Sequence, residues 1–96
     1  MPAYIIVMRE GPLRDSAAMN EYQKRTRQMQ SDIKPMPRVI YGAIEGLEGE
    51  APEALVMLEF PSMDDARAWY NSDGYQDALP YRLQSGEYRT FLVEGL

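Results

Sequence analysis

The chain contains no cysteine and no histidine. Disulfides, thiolate nucleophiles and imidazole bases are therefore absent, as are the nitrogen and sulfur ligands of zinc, haem and iron–sulfur sites. Ser-His-Asp chemistry and its Cys-His relatives cannot be assembled within it. Catalysis, if there is any, falls to carboxylate, Tyr, Arg, Lys, Asn, Trp or backbone groups. Positive charge is also scarce: 10 Lys and Arg stand against 15 Asp and Glu, a formal net charge of -5. Affinity for phosphate backbones comes from clustered cations, so nucleic acid is not an expected partner. Long apolar runs are missing too. The stretch from Tyr4 to Met8 is far too short to span a bilayer, and Met1-Pro2-Ala3 lacks the basic start and apolar stretch of a secretory leader. No membrane partner and a cytoplasmic location are the expectations.

What is present suits one globular unit. With 96 residues, 45% of them hydrophobic and 26% charged, a single domain over residues 1–96 would bury roughly 65% of its unfolded surface. Ala3 to Met8 is an apolar, β-branched run that Gly11-Pro12 brings to a turn. Asp15 or Ser16 can cap a helix whose inner face carries Ala18, Met19, Tyr22, Thr26, Met29 and Ile33, with Pro35 and Pro37 stopping it. Arg38 to Ile44 reads as a second strand with a bulge at Gly42, and Ala54 to Phe60 as a third, joined by a hairpin connection from Glu45 to Glu53. Ser62, with Asp65 three residues on, starts a second helix that buries Ala66, Trp69 and Tyr70. Ser72-Asp73-Gly74 interrupts it. A further helical stretch, kinked or broken at Pro80, places Tyr75, Leu79 and Leu83 in register before a last strand from Tyr88 to Val93.

The order βαββαβ predicts an α+β, ferredoxin-like sandwich: a four-stranded antiparallel sheet with its helices on one face, since both crossovers are right-handed. The other face should then be polar. Strand one nevertheless carries Ala3, Ile5 and Val7 on one side and Tyr4, Ile6 and Met8 on the other, and strand three sets Leu55 and Met57 opposite Val56, Leu58 and Phe60. These doubly apolar strands call for a cover, and a second copy of the chain is the simplest one, giving a homodimer with sheets face to face.

Glu59-Phe60-Pro61-Ser62, then Ala66, Trp69-Tyr70, Ser72 and Tyr75, with Arg82 further on, make the chain resemble the domain of unknown function 1330 family. Met1-Pro2-Ala3-Tyr4, Leu47-Glu48-Gly49 and Val93-Glu94-Gly95 extend the likeness over nearly the whole length. The resemblance implies a dimeric α/β barrel, the superfamily that also houses cofactor-free monooxygenases, muconolactone isomerase-like enzymes and small stress-response proteins. It implies no particular reaction. One departure stands out: where relatives end their second strand in Arg-Gly-Gly, this chain has Tyr41-Gly42-Ala43, with the arginine replaced by Tyr41 or displaced to Arg38.

The candidate catalytic residues are Glu59 and Arg82. Glu59 ends a buried strand, where desolvation would raise its pKa toward that of a base, and Arg82 presents a planar fork suited to a carboxylate or an enolate-like oxygen. A salt bridge from Arg82 to Glu59 or Glu94 is the bland account. Tyr22, Tyr41, Trp69 and Tyr75 are the candidate substrate-binding residues, against the alternative of plain core packing. Lys24, Arg25 and Arg27 read as a solvated helix face. Glu45, Glu48, Glu50 and Glu53 lack EF-hand spacing, so no metal is expected, and no cofactor. Two functional readings stand side by side. One is a small-molecule-binding dimer, whose enzymatic form would be a cofactor-independent oxygenase or isomerase acting on a small acidic or aromatic compound; the other is a non-catalytic binding or stress-response module with a packed interior.

Overall fold

The computed structural model describes all 96 residues. Its elements run β1 (Ala3–Arg9), α1 (Ser16–Gln28), β2 (Met36–Ile40), β3 (Ala54–Phe60), α2 (Met63–Tyr70), α3 (Asp73–Ser85) and β4 (Tyr88–Glu94). The strands form one antiparallel sheet in the order β2-β3-β1-β4, the ferredoxin-like arrangement. Each helix starts on a side-chain cap. Asp15 accepts from the Ala18 amide at 3.0 Å, Ser62 from Asp65 at 3.1 Å and Ser72 from Tyr75 at 3.4 Å. Such caps contribute about 1 kcal/mol each by satisfying amides that the helix leaves free.

Strand alternation sorts the sheet into two faces. Ile5 lies opposite Leu58 and Leu92, and Ala3 opposite Phe60. These residues meet Ala66 and Trp69 of α2 and Tyr75 and Leu79 of α3 in the core. On the other face Ile6 lies opposite Met57 and Phe91, and Tyr4 opposite Glu59 and Val93. No element of this chain covers that side, and Met36, Phe91 and Val93 are exposed there. The helical layer is itself uneven: α2 sits down on the sheet, whereas the backbone of α1 comes closest to α3. The space left between α1 and the strands is the cavity described below.

Four sequence expectations change. The first helix ends at Gln28, where Met29 turns extended and returns its amide to Thr26. Met29 and Ile33 still pack against the core, but from the following segment, so apolar periodicity outlasted the helix. The second strand spans Met36–Ile40 rather than residues 38–44, and its irregularity falls between Pro37 and Val39, not at Gly42. Proline has no N–H for the ladder, and Tyr41, at φ 54°, turns the chain off the sheet. Pro80 lies inside a continuous α3 instead of breaking it. Finally, Leu83 is exposed, and Arg82 takes the inward place. At 3.6 residues per turn, position 82 returns to within about 20° of Tyr75, while position 83 is rotated about 80° away.

Candidate functional site

A cavity of about 520 Å³ opens between α1, α3 and the helix-side face of the sheet. Its floor is Ile5 and Val7 of β1 with Val56 and Leu58 of β3; Trp69 of α2 also lines it, as do Ile40 and Tyr41 at the exit of β2. The volume suits a small organic molecule and the lining is mainly apolar. Three arginines, Arg9, Arg27 and Arg82, border it, and no Asp or Glu does. In a chain of net charge -5 that is a local reversal of sign.

Arg82 is the deepest of the three. It projects from the last turn of α3 and is only 3% exposed. Its Nε and Nη1 have no hydrogen-bond partner. The guanidinium carbon lies 4.9 Å from the centre of the Tyr88 ring and 5.9 Å from that of Tyr22. Tyr88 is held in turn by Ser85, whose Oγ is 2.9 Å from the phenol oxygen and donates to the Arg82 carbonyl at 2.6 Å. Ring faces and the negative end of the helix dipole soften the isolated charge. They accept none of its N–H hydrogens, and a buried guanidinium without acceptors is costly.

Beside Arg82 lies an aromatic cluster. The Tyr22 and Tyr75 hydroxyls are 2.9 Å apart, and their rings meet edge-to-face at 6.1 Å. Trp69 tilts against Tyr75 at 4.4 Å and against Phe60 at 5.4 Å. Burial in this apolar setting, reinforced by the neighbouring Tyr75, pushes the Tyr22 hydroxyl well above its ordinary pKa. Tyr22 is thus a hydrogen-bond donor or acceptor at any working pH, not a base.

Of the residues singled out in the sequence, the fold brings Tyr22, Tyr41, Trp69, Tyr75 and Arg82 to this one cavity. Glu59 is not among them. It follows Leu58 on the strand and so faces the opposite side of the sheet, where Arg38 Nε donates to its carboxylate at 3.1 Å. That bond, aided by the Arg38 charge, holds the Glu59 pKa below its ordinary value despite some desolvation. The expectation of a raised pKa is reversed, because Arg38, the extra residue in the β2 irregularity, lies within reach. Arg82 pairs with neither Glu59 nor Glu94. The space between α1, α3 and the sheet is open rather than filled by side chains. Arg25 is tied to Glu21 and Asp77 and stacks on Tyr81, so only part of the basic helix face is free in solvent, and Arg27 borders the cavity. Tyr88 was not singled out as a site residue. Its signal was the alternation Tyr88, Thr90, Leu92, which turns all three toward the helices. No group of three Asp or Glu side chains is placed to share a metal ion.

A ferredoxin-like α+β chain with a buried, unpaired arginine facing an apolar cavity defines the class. The chain belongs to the domain of unknown function family DUF1330, whose model matches residues 2–96. No curated protein matches the sequence. Among solved structures, the chain is similar to a dimeric protein of unknown function and ferredoxin-like fold from Bacteroides fragilis, with a TM-score of 0.61, 19% identity, and coverage of 98% of this chain and 96% of that one. It is also similar to an ethyl tert-butyl ether d (EthD) family protein from Bacillus halodurans, at TM-score 0.63, 14% identity and full coverage of both chains (100% and 100%). A protein of unknown function from Rhodopseudomonas palustris aligns at TM-score 0.61 and 14% identity over 99% of this chain and 82% of that one. At these identities the likeness is one of fold. No helix is long and apolar enough to cross a membrane.

Proposed function

We propose that this protein is a homodimer whose cavity binds a small organic anion with an apolar body. The observation that carries the reading is Arg82: 97% of its surface is buried, two of its nitrogens are unpartnered, and the cavity it faces has no carboxylate of its own. A carboxylate would supply the charged acceptor that these N–H groups lack, in a charge-assisted hydrogen bond to the guanidinium. The floor of Ile5, Val7, Val56 and Leu58 would hold the rest of the molecule.

The cavity offers donors and no general base, with Glu59 on the far side of the sheet. A reaction here would need a substrate that ionises readily by itself, its anion then stabilised by Arg82 and the tyrosines. A cofactor-independent oxygenation or an isomerisation of a small acidic or aromatic compound meets that condition. Binding without turnover meets it equally, and the cavity's contents are the same in both.

Dimerisation rests on the open face. Tyr4, Ile6, Met8, Leu55, Met57 and Val39 form an apolar sheet surface that a second copy would cover about a two-fold axis. The dimeric Bacteroides fragilis protein shares this fold and is consistent with that arrangement.

Calorimetric titration with 3-phenylpropionate tests the anion reading. The wild type should bind it, and Arg82→Met should lower the affinity roughly 10- to 100-fold, the usual weight of a charge-assisted hydrogen bond. Equal binding by the two proteins would remove the reading. Sedimentation velocity tests the pairing separately, and a monomer at micromolar concentration would dispose of the dimer.

A further inference from the structure

The tyrosine pair beside Arg82 carries an asymmetry of hydrogens. Two phenol hydroxyls 2.9 Å apart hold two hydrogens between them, and one suffices for the bond that joins them. Whichever tyrosine donates, the other keeps a hydrogen, and no protein atom accepts it. Tyr75 is 2% exposed, Tyr22 is packed against the core, and both line the cavity, which is the space from which an acceptor for the spare hydrogen could come. Together with the buried Nε and Nη1 of Arg82 this makes three donors without acceptors on residues that line one cavity, with no acidic side chain among them.

Those donors lie around a single ring. Tyr22 has the Arg82 guanidinium carbon 5.9 Å from its ring centre, and its hydroxyl bonded to Tyr75. A carboxylate on the Arg82 fork therefore leaves the phenol donor unmatched, beside it. A tetrahedral phosphate dianion suits the site less well: one buried guanidinium is present, and the first-turn amide of Tyr75 at the start of α3 is already taken by the Ser72 hydroxyl.

We propose that the cavity is built for an acid with a second acceptor oxygen next to its carboxylate, a 2-oxo or 2-hydroxy acid with an apolar side chain. The carboxylate lies on Arg82, the second oxygen takes the spare hydrogen of the Tyr22–Tyr75 pair, and the side chain runs over the apolar floor. The assignment rests on the anion-binding reading of the preceding section and adds the ligand class to it.

Three acids with one carbon skeleton test it by calorimetry at neutral pH: phenylpyruvate, 3-phenyllactate and 3-phenylpropionate, the last without the second oxygen. The wild type should bind phenylpyruvate or 3-phenyllactate roughly tenfold more tightly than 3-phenylpropionate. In Y22F/Y75F that preference, read as the ratio of the affinities within the one protein, should vanish. Equal binding of all three acids by the wild type, or a preference that survives in the double variant, would overturn the ligand class and leave the anion site standing. Failure of all three to bind the wild type, or undiminished binding of 3-phenylpropionate by R82M, would overturn the anion site and the ligand class together. If the double variant shows no cooperative thermal transition, the wild-type comparison decides the matter alone.

Discussion

The two faces of the sheet are made of similar residues and handle charge in opposite ways. On the helix side, Ile5, Val7, Val56 and Leu58 lie under a cavity, and one of the charges that border it, Arg82, is buried and unpaired. On the open side, Ile6, Met8, Leu55 and Met57 lie under no other part of the chain, and Glu59 and Arg38 form a partly exposed ion pair. Sequences that satisfy a charge locally, at a sheet edge, have finished with it. A charge kept unsatisfied inside a cavity costs stability, and the compensating interaction is then to be sought in a ligand. Hydrophobicity alone does not distinguish the faces. The difference lies in whether the polar groups already have partners.

The contrast can be broken most severely on the helix side. Phe60 is 1% exposed and stacks on Trp69, and Phe60→Ala should cost about 3–5 kcal/mol in chemical denaturation, through lost transfer energy and the hole left behind. A loss under about 1 kcal/mol would mean that the core is not centred there. Ile6→Asp acts on the other face, directly between Met57 and Phe91. If the proposed two-fold pairing uses this face, the substitution should raise the dimer dissociation constant by at least about a hundredfold, because such an interface would bury the new carboxylate twice. Sedimentation equilibrium would show this, and an unchanged constant would place the dimer contact elsewhere.

Arg82→Met sharpens the comparison. Without ligand, the variant should be as stable as the wild type or more stable, by up to about 2 kcal/mol, since a buried charge without acceptors disappears and a flexible apolar chain fills its place. Stacking on Tyr88 would be lost, which limits the gain. A clear drop in unliganded melting temperature would show that Arg82 supports the fold. The smallest effect is expected at Glu59. Its pKa is lowered from 4.5 in the folded chain, chiefly by the Arg38 hydrogen bond. A depressed carboxyl pKa stabilises the fold at pH above the ordinary value, and that contribution fades as pH falls through the lowered one. Glu59→Gln should therefore melt slightly below wild type at neutral pH, and the gap should close under acid conditions. A gap that widens toward low pH would contradict the pairing.

Much of this was legible in the residues. Tyr22, Tyr75 and Trp69 fall on inward helical positions, and period-two alternation separates Ile5 from Ile6. The same alternation already excluded Glu59 from the cavity, because it must oppose Phe60 and Leu58. The desolvation argument for a raised pKa gave way to that geometry and to the nearness of Arg38. At Leu83 and Arg82, residue type pointed to the wrong inward side chain, where the helical angle pointed to the right one. The length of α1 and the β2 boundary depended on packing, which lets Met29 and Ile33 reach the core from an extended segment as well as from a helix.

By itself, the sequence determined the element order, the antiparallel α+β sheet, the lack of thiol and imidazole chemistry, and the presence of a second apolar face. Those follow from local periodicity and composition, which are read over a few residues at a time. Only the tertiary structure decided that α1 stands off the sheet, that Tyr22 and Tyr75 share one hydrogen bond across 53 positions of sequence, and that Arg82 enters the same space unpaired. Such contacts join α1, α3 and β4, and their distances depend on how whole layers pack, which no short stretch of sequence specifies.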